Sequence, residues 1–228
     1  MRHMRPLIAL SLAGLMTLSA CGEDVAAKDD SAAGSSAAGG SNNSAPAKDG
    51  GSITVRGCTP QNPLIPSNTN ETCGGNVLDA VTARLIHYNP DTAKPEMDIA
   101  QSIETKDNQN FTVKLKKGYK FSDGTEVKAK NFVDAWNYTA LSTNAQGASY
   151  FMEPIEGFAD LQAEEGQTPK AKTMSGLKVV DDTTFTIKTT DKVSNLPERL
   201  GYSAFAPLPD SFAKDPKAFG DKPIGAGP

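Results

Sequence analysis

The chain has 228 residues, 38% hydrophobic and 22% charged, the composition of a globular protein with enough apolar material for a sizeable core. Its formal net charge is −4 and its basic residues are interspersed with acidic ones, so it lacks the clustered basic face that nucleic-acid binding needs. Only two histidines occur, His3 and His87, which argues against a histidine metal site and against catalysis through a histidine base.

Arg2 and Arg5 precede a run of small and aliphatic residues at positions 7–20. That run is shorter than the roughly 20 apolar residues a membrane span needs, and it has the form of the apolar region of a secretory signal. Leu18, Ser19, Ala20, Cys21 and Gly22 then resemble a bacterial lipobox; the alternative is an ordinary signal peptide that happens to end near a cysteine. The resemblance implies that residues 1–20 are a lipoprotein signal peptide and that Cys21 becomes the lipidated amino terminus. Each buried methylene contributes about 0.8 kcal/mol, so several acyl chains hold a protein where one is marginal. Residues 23–51 are Ala, Gly, Ser, Asn and Asp with hardly a large apolar side chain, which gives a flexible tether over 21–51 with a reach of about 30 Å.

Residues 52–56 alternate as a short strand and lead into a loop dense in Pro, Asn and Gly, bracketed by Cys58 and Cys73. Outside the cytoplasm such thiols are expected to pair, two separate buried cysteines being the alternative. Asn76 is placed as the N-cap of a helix whose apolar face is Val77, Leu78, Val81, Leu85 and Ile86. A turn at Tyr88, Asn89, Pro90 and Asp91 follows, then a strand near residues 102–105 and a polar turn at 107–110.

Residues 110–136 form a compact unit. Phe111, Val113 and Leu115 alternate with polar residues as a half-buried strand, and Gly118 and Ser122-Asp123-Gly124 supply tight turns around Tyr119 and Phe121. Phe132, Val133, Trp136, Thr139 and Ala140 make the inward stripe of a helix, with Lys128, Lys130, Asp134 and Asn137 expected in water. After an irregular stretch at 143–157, residues 177–180 and 184–189 flank Asp181 and Asp182 as a β-hairpin. Short helical turns are expected at 196–200 and 211–219.

This order resembles the extracytoplasmic solute-binding proteins of oligopeptide, dipeptide and nickel ABC importers (solute-binding protein family five), from about residue 52 to 228. The residues that carry the resemblance are Phe111 to Gly118, then Phe121-Ser122-Asp123-Gly124, then Val127 to Val133 with Trp136. Asn131 stands where that family commonly has aspartate. The last six residues, Pro223-Ile224-Gly225-Ala226-Gly227-Pro228, resemble a further segment in which Ala226 replaces threonine. The resemblance implies an α/β, periplasmic-binding-protein-like fold with a mixed sheet and helices. Residues 52–228 would be a partial lobe one with its inserted subdomain, the second lobe being absent.

The implied role is the substrate-binding component of an ABC importer that captures peptides outside the membrane and delivers them to permease subunits. It implies no enzyme activity and no cofactor, and it places the protein on the extracytoplasmic face of a bacterial membrane through its lipid anchor. By position in the family, Asn70, Glu71 and Thr72 are candidate ligand contacts, with Tyr150 as another. The competing expectation for Asn70 and Thr72 is local turn chemistry, and for Tyr150 core packing. A lipid-anchored adhesin fits anchor and tether equally but leaves the residues around Phe121 unexplained. A secreted hydrolase lacks a base, since Asp181 and Asp182 read as turn residues and His87 stands alone at a helix end.

Overall fold

The computed structural model describes Thr54, residues 56–164 and residues 166–227. The expected signal peptide, the Cys21 lipidation site, the tether and most of the strand at 52–56 lie outside the described residues. Alternation sets the sheet. In β4 (Asn110–Leu115) Phe111, Val113 and Leu115 are buried, and β3 (Ala100–Thr105) pairs with it in antiparallel register. Asp107 makes the turn between them: its carboxylate accepts the backbone N–H groups of Gln109 and Asn110 at 3.0 and 2.8 Å. Asn108 takes the left-handed conformation at φ 59°.

β5 (Leu177–Asp181) and β6 (Thr184–Lys188) form the expected hairpin, and β6 adds to β4 to give a four-stranded sheet in the order β3-β4-β6-β5. The expectation of a mixed sheet is corrected here, because every pairing among the described strands is antiparallel. For β3–β4 and β5–β6 the reason is connection length: four residues join the first pair and two the second, whereas a parallel pair needs a crossover of a dozen or more; the β4–β6 pair, joined through residues 116–183, is not decided by connection length.

One face of this sheet is closed by α2 (Ala129–Ala140). Phe132 stacks on Phe185 of β6 at 5.7 Å, and Trp136 meets Phe185 and Phe205 edge-on at 5.5 and 5.2 Å. The Trp136 indole N–H donates to the Phe205 carbonyl at 3.1 Å, so the one polar atom of this fully buried ring is satisfied. Asn137, expected in water, is 7% exposed, and its side-chain oxygen accepts the Met174 N–H at 2.7 Å. The long 143–174 segment folds back over the helix, so the helix has two covered faces and the simple stripe underestimates its burial.

The corner that precedes α2 behaves as expected. Gly118 and Gly124 have φ of 91° and 85°, the Phe121 N–H donates to the Thr125 carbonyl, and Asp123 accepts from the Thr125 N–H and hydroxyl at 2.9 and 2.6 Å. The same corner holds the end of the chain. Ser122 N–H donates to the Gly225 carbonyl at 2.8 Å and Gly227 N–H to the Val81 carbonyl at 3.0 Å. A Cβ on Gly225 would lie 1.8 Å from the Val81 oxygen, which explains the glycine there.

The first helix differs from its expectation at both ends. α1 runs Thr72–Val81, with Glu71 rather than Asn76 as N-cap, and it stops before Leu85 and Ile86. Those two apolar residues are buried, but Ile86 begins β1 (Ile86–Tyr88), which pairs with β2 (Pro95–Met97) as a two-stranded sheet. Helical spacing ran on by coincidence past Thr82, whose extended backbone ends the helix. His87 is therefore on a strand, with Nε2 3.1 Å from Oε2 of Glu96, its cross-strand partner. α3 (Leu196–Arg199), α4 (Pro216–Asp221) and short 3-10 turns complete the described elements, and the described residues belong to one compact unit. No helix among the described residues is long and apolar enough to cross a membrane.

Candidate functional site

The loop before α1 is irregular but pinned. Cys58 and Cys73 are joined by a disulfide, with Cα atoms 5.4 Å apart. Buried Ser67 donates to the Gln146 side-chain oxygen at 2.8 Å, and buried Thr69 donates to the Pro63 carbonyl at 2.7 Å. The Ala148 N–H donates to the Ser67 carbonyl at 2.9 Å and the Gly147 N–H to Asn68 Oδ1 at 3.3 Å. Two loops distant in sequence, 67–72 and 146–150, are thereby tied into one edge.

That edge forms one wall of a groove of about 370 Å³, lined on its side by Asn70, Glu71, Thr72 and Asn76 and on the facing side by Tyr88, Gly201, Tyr202 and Ser203. The facing wall is held by three contacts. Tyr88 Oη donates to the Glu198 carbonyl at 2.5 Å, Arg84 Nη1 donates to the Gly201 carbonyl at 3.0 Å, and Gly201 lies against the Tyr88 ring, where a Cβ would approach to 3.0 Å. Arg84 also reaches Asp79 of α1 through Nη2 at 2.5 Å, so one guanidinium bridges the two walls. A larger groove of about 870 Å³ shares Asp79, Arg84 and Tyr88 and continues to Lys117, Tyr119 and Lys120. Tyr119 donates to Asp98 Oδ1 at 3.0 Å, and burial together with the Asp98 charge raises its phenol above the usual value.

The four candidate residues fall on this face in different roles. Asn70 and Thr72 are exposed at the groove edge. Glu71 lines the groove too, but its oxygens accept N–H groups from Cys73 and Gly74 at 2.7 Å and Gln61 at 3.1 Å, which makes it the cap of α1. Tyr150 is 58% exposed, so the core-packing expectation for it fails. It does not line the groove; its ring lies 4.5 Å from Phe151, which stacks on Tyr202 of the facing wall at 4.3 Å. Sequence reading missed Arg84, Tyr88 and Tyr202. The available signal was the Asp79 and Arg84 pair at a helix end; the exposure of the two tyrosines depends on packing between distant segments.

The groove is thus open, with a pinned polar edge and exposed tyrosines, and is carried on an antiparallel α/β body. The chain belongs to the bacterial extracellular solute-binding proteins, family 5: the model described as "Bacterial extracellular solute-binding proteins, family 5 Middle" matches residues 94–228. That is a family of solute-binding proteins and not of enzymes. Among curated relatives, the oligopeptide-binding protein OppA of Bacillus subtilis is 27% identical over 171 residues, covering 72% of this chain and 30% of the relative. Among solved structures, the substrate-binding domain of an oligopeptide ABC transporter from Bacillus anthracis is 26% identical with a TM-score of 0.62, over 72% of this chain and 32% of that one. Listeria monocytogenes OppA bound to peptide is similar in fold, at 22% identity and a TM-score of 0.64, over 73% of this chain and 33% of that one. The chain thus spans about a third of the length of the relatives it matches.

Proposed function

We propose that this protein is the binding component of an ABC importer, capturing oligopeptides outside the membrane and delivering them to permease subunits. Residues 52–228 would form part of the first binding lobe with its inserted subdomain, residues 21–51 a tether, and Cys21 a lipid anchor after removal of residues 1–20. The observation that carries the reading is the groove itself. It sets the free side chains of Asn70 and Thr72 opposite Tyr88 and Tyr202, on a chain whose relatives include oligopeptide-binding proteins. Amide and hydroxyl groups beside exposed loop backbone suit an extended peptide, which is recognised chiefly through its main chain. In this arrangement Glu71 acts indirectly, by fixing where α1 starts and therefore where Asn70 and Thr72 point.

The test is thermal unfolding of the chain with a mixed oligopeptide pool. Ligand at a hundredfold excess over its dissociation constant stabilises the bound state by about 2.7 kcal/mol. The expected result is a rise in midpoint that Asn70→Ala with Thr72→Ala diminishes. No shift at any peptide concentration, with the chain folded, contradicts the reading.

A further inference from the structure

We propose that Arg84 is the positioning residue of the groove, a strut that sets the distance between its two walls without touching the ligand; the inference rests on the peptide-binding reading above. Its side chain is 16% exposed, and its guanidinium has a partner on each wall: Nη2 lies 2.5 Å from Asp79 Oδ1 in the last turn of α1, and Nη1 donates to the Gly201 carbonyl at 3.0 Å. α1 is the element whose capped start carries Thr72 beside Asn70, and Gly201 is followed directly by Tyr202 and Ser203. The root of the strut is fixed as well. The Arg84 carbonyl accepts the Ile99 N–H at 2.9 Å, the carbonyl of fully buried Leu85 accepts the Asp98 and Ala100 N–H groups at 3.0 and 3.1 Å, and Ala100 opens β3.

A planar fork suits this task. Its two terminal nitrogens address two acceptors in different directions at a fixed spacing, whereas a lysine ammonium is one point on a flexible stem. On the facing wall Tyr88 Oη holds the Glu198 carbonyl, upstream of Gly201, while Arg84 holds the Gly201 carbonyl itself. Gly201 is buried, and without the guanidinium its carbonyl loses that donor; an acceptor left unpaired there favours a shift of residues 201–203 toward water. Groove width then varies, and apparent affinity falls with the fraction of time the walls stand at the binding spacing. Asp79 and Arg84 also line the larger groove, so the strut stands where the two grooves meet.

The experiment takes an oligopeptide chosen from the mixed pool by its shift of the wild-type midpoint, prepared with a free carboxyl terminus and as the C-terminal amide. Both affinities are measured by titration calorimetry at a temperature where every variant is folded. Arg84→Met, which keeps much of the stem and removes both donors, should weaken both forms alike by about tenfold, the binding spacing then being populated about a tenth of the time. Arg84→Lys should weaken both by a similar factor, since the charge remains but the fork is gone. Amide exchange of the unliganded Arg84→Met chain should rise over residues 201–203 while β4 and β6 stay protected. If Arg84→Met fails to fold, Arg84→Lys carries both measurements. A loss confined to the free-carboxyl form, or full affinity in Arg84→Lys, would make Arg84 a contact of the ligand and overturn the strut. A lowered midpoint with unchanged affinity also overturns it, because that is the result a merely stabilising arginine gives. If no peptide of the pool shifts the wild-type midpoint, the peptide-binding reading fails and the strut with it, whereas unaltered exchange over 201–203 in the variant overturns the strut alone.

Discussion

The sheet with its helix and the loop face beside it are held by different chemistry. Under α2, burial dominates: Phe111, Val113, Phe132, Trp136, Phe185 and Ile187 are all almost completely covered and meet across the sheet. On the loop face the fixed points are discrete: one disulfide, one carboxylate cap, and hydrogen bonds from Ser67, Thr69 and Asn68. Dense packing tolerates little change and exposes little, while point-by-point fixation leaves polar and aromatic groups facing outward. On the proposed function the first is the foundation and the second the reading surface.

Substitutions separate the two regions. Trp136→Ala removes a fully buried ring with three aromatic neighbours and an indole hydrogen bond, and urea denaturation should show a loss of about 3–5 kcal/mol. A loss below about 1 kcal/mol would mean that α2 and the sheet are not the foundation described. Replacing Cys58 and Cys73 together by serine opens a loop of sequence separation 15, with an expected cost of about 3 kcal/mol to global stability in the loop-entropy model. Hydrogen exchange in that variant should rise first over residues 58–72, leaving β4 and β6 protected.

Glu71→Ala leaves the first N–H groups of α1 without their acceptor and should cost about 1 kcal/mol, read by the same denaturation. Glu71→Asp, with a shorter reach to the Cys73 and Gly74 N–H groups, should recover part of it. The smallest effect belongs to the sheet. Hydrogen bonds from the Asn110 backbone and side chain, and then from the Gln109 backbone, hold the Asp107 carboxyl well below the usual range. Its contribution to stability is present above the unfolded value of about 4 and is lost as pH falls toward the folded value. Stability of Asp107→Asn should therefore fall less steeply below pH 4 than that of the wild type, and equal slopes would remove Asp107 from the account.

How much of this was legible depended on whether a signal was local. Alternation in residues 111–115 and 184–188, the spacing of Phe132 and Trp136, and the turn chemistry of Asp107 and Asp123 each act over a few residues, and each reads correctly. The boundaries of α1 did not read correctly because a capping carboxylate at Glu71 outweighed the generic preference for Asn76, and because Leu85 and Ile86 are buried by a strand instead of a helix. Antiparallel pairing was visible in the short connections, yet the expected mixed sheet came from the family resemblance rather than from those connections. The site divides in the same way. Asn70, Glu71 and Thr72 were candidates through their position in a resembling loop, while Arg84, Tyr88 and Tyr202 are brought to the groove by long-range contacts of residues 84–88 with the 198–203 segment.

The central claim, that the loop face reads the ligand and the packed sheet supports it, is tested most directly by amide hydrogen exchange with and without a saturating oligopeptide. The account predicts added protection confined to residues 68–72, 147–151 and 201–203, with the β5 to β6 hairpin unchanged. Protection centred on that hairpin, with the loop face unaffected, would contradict it.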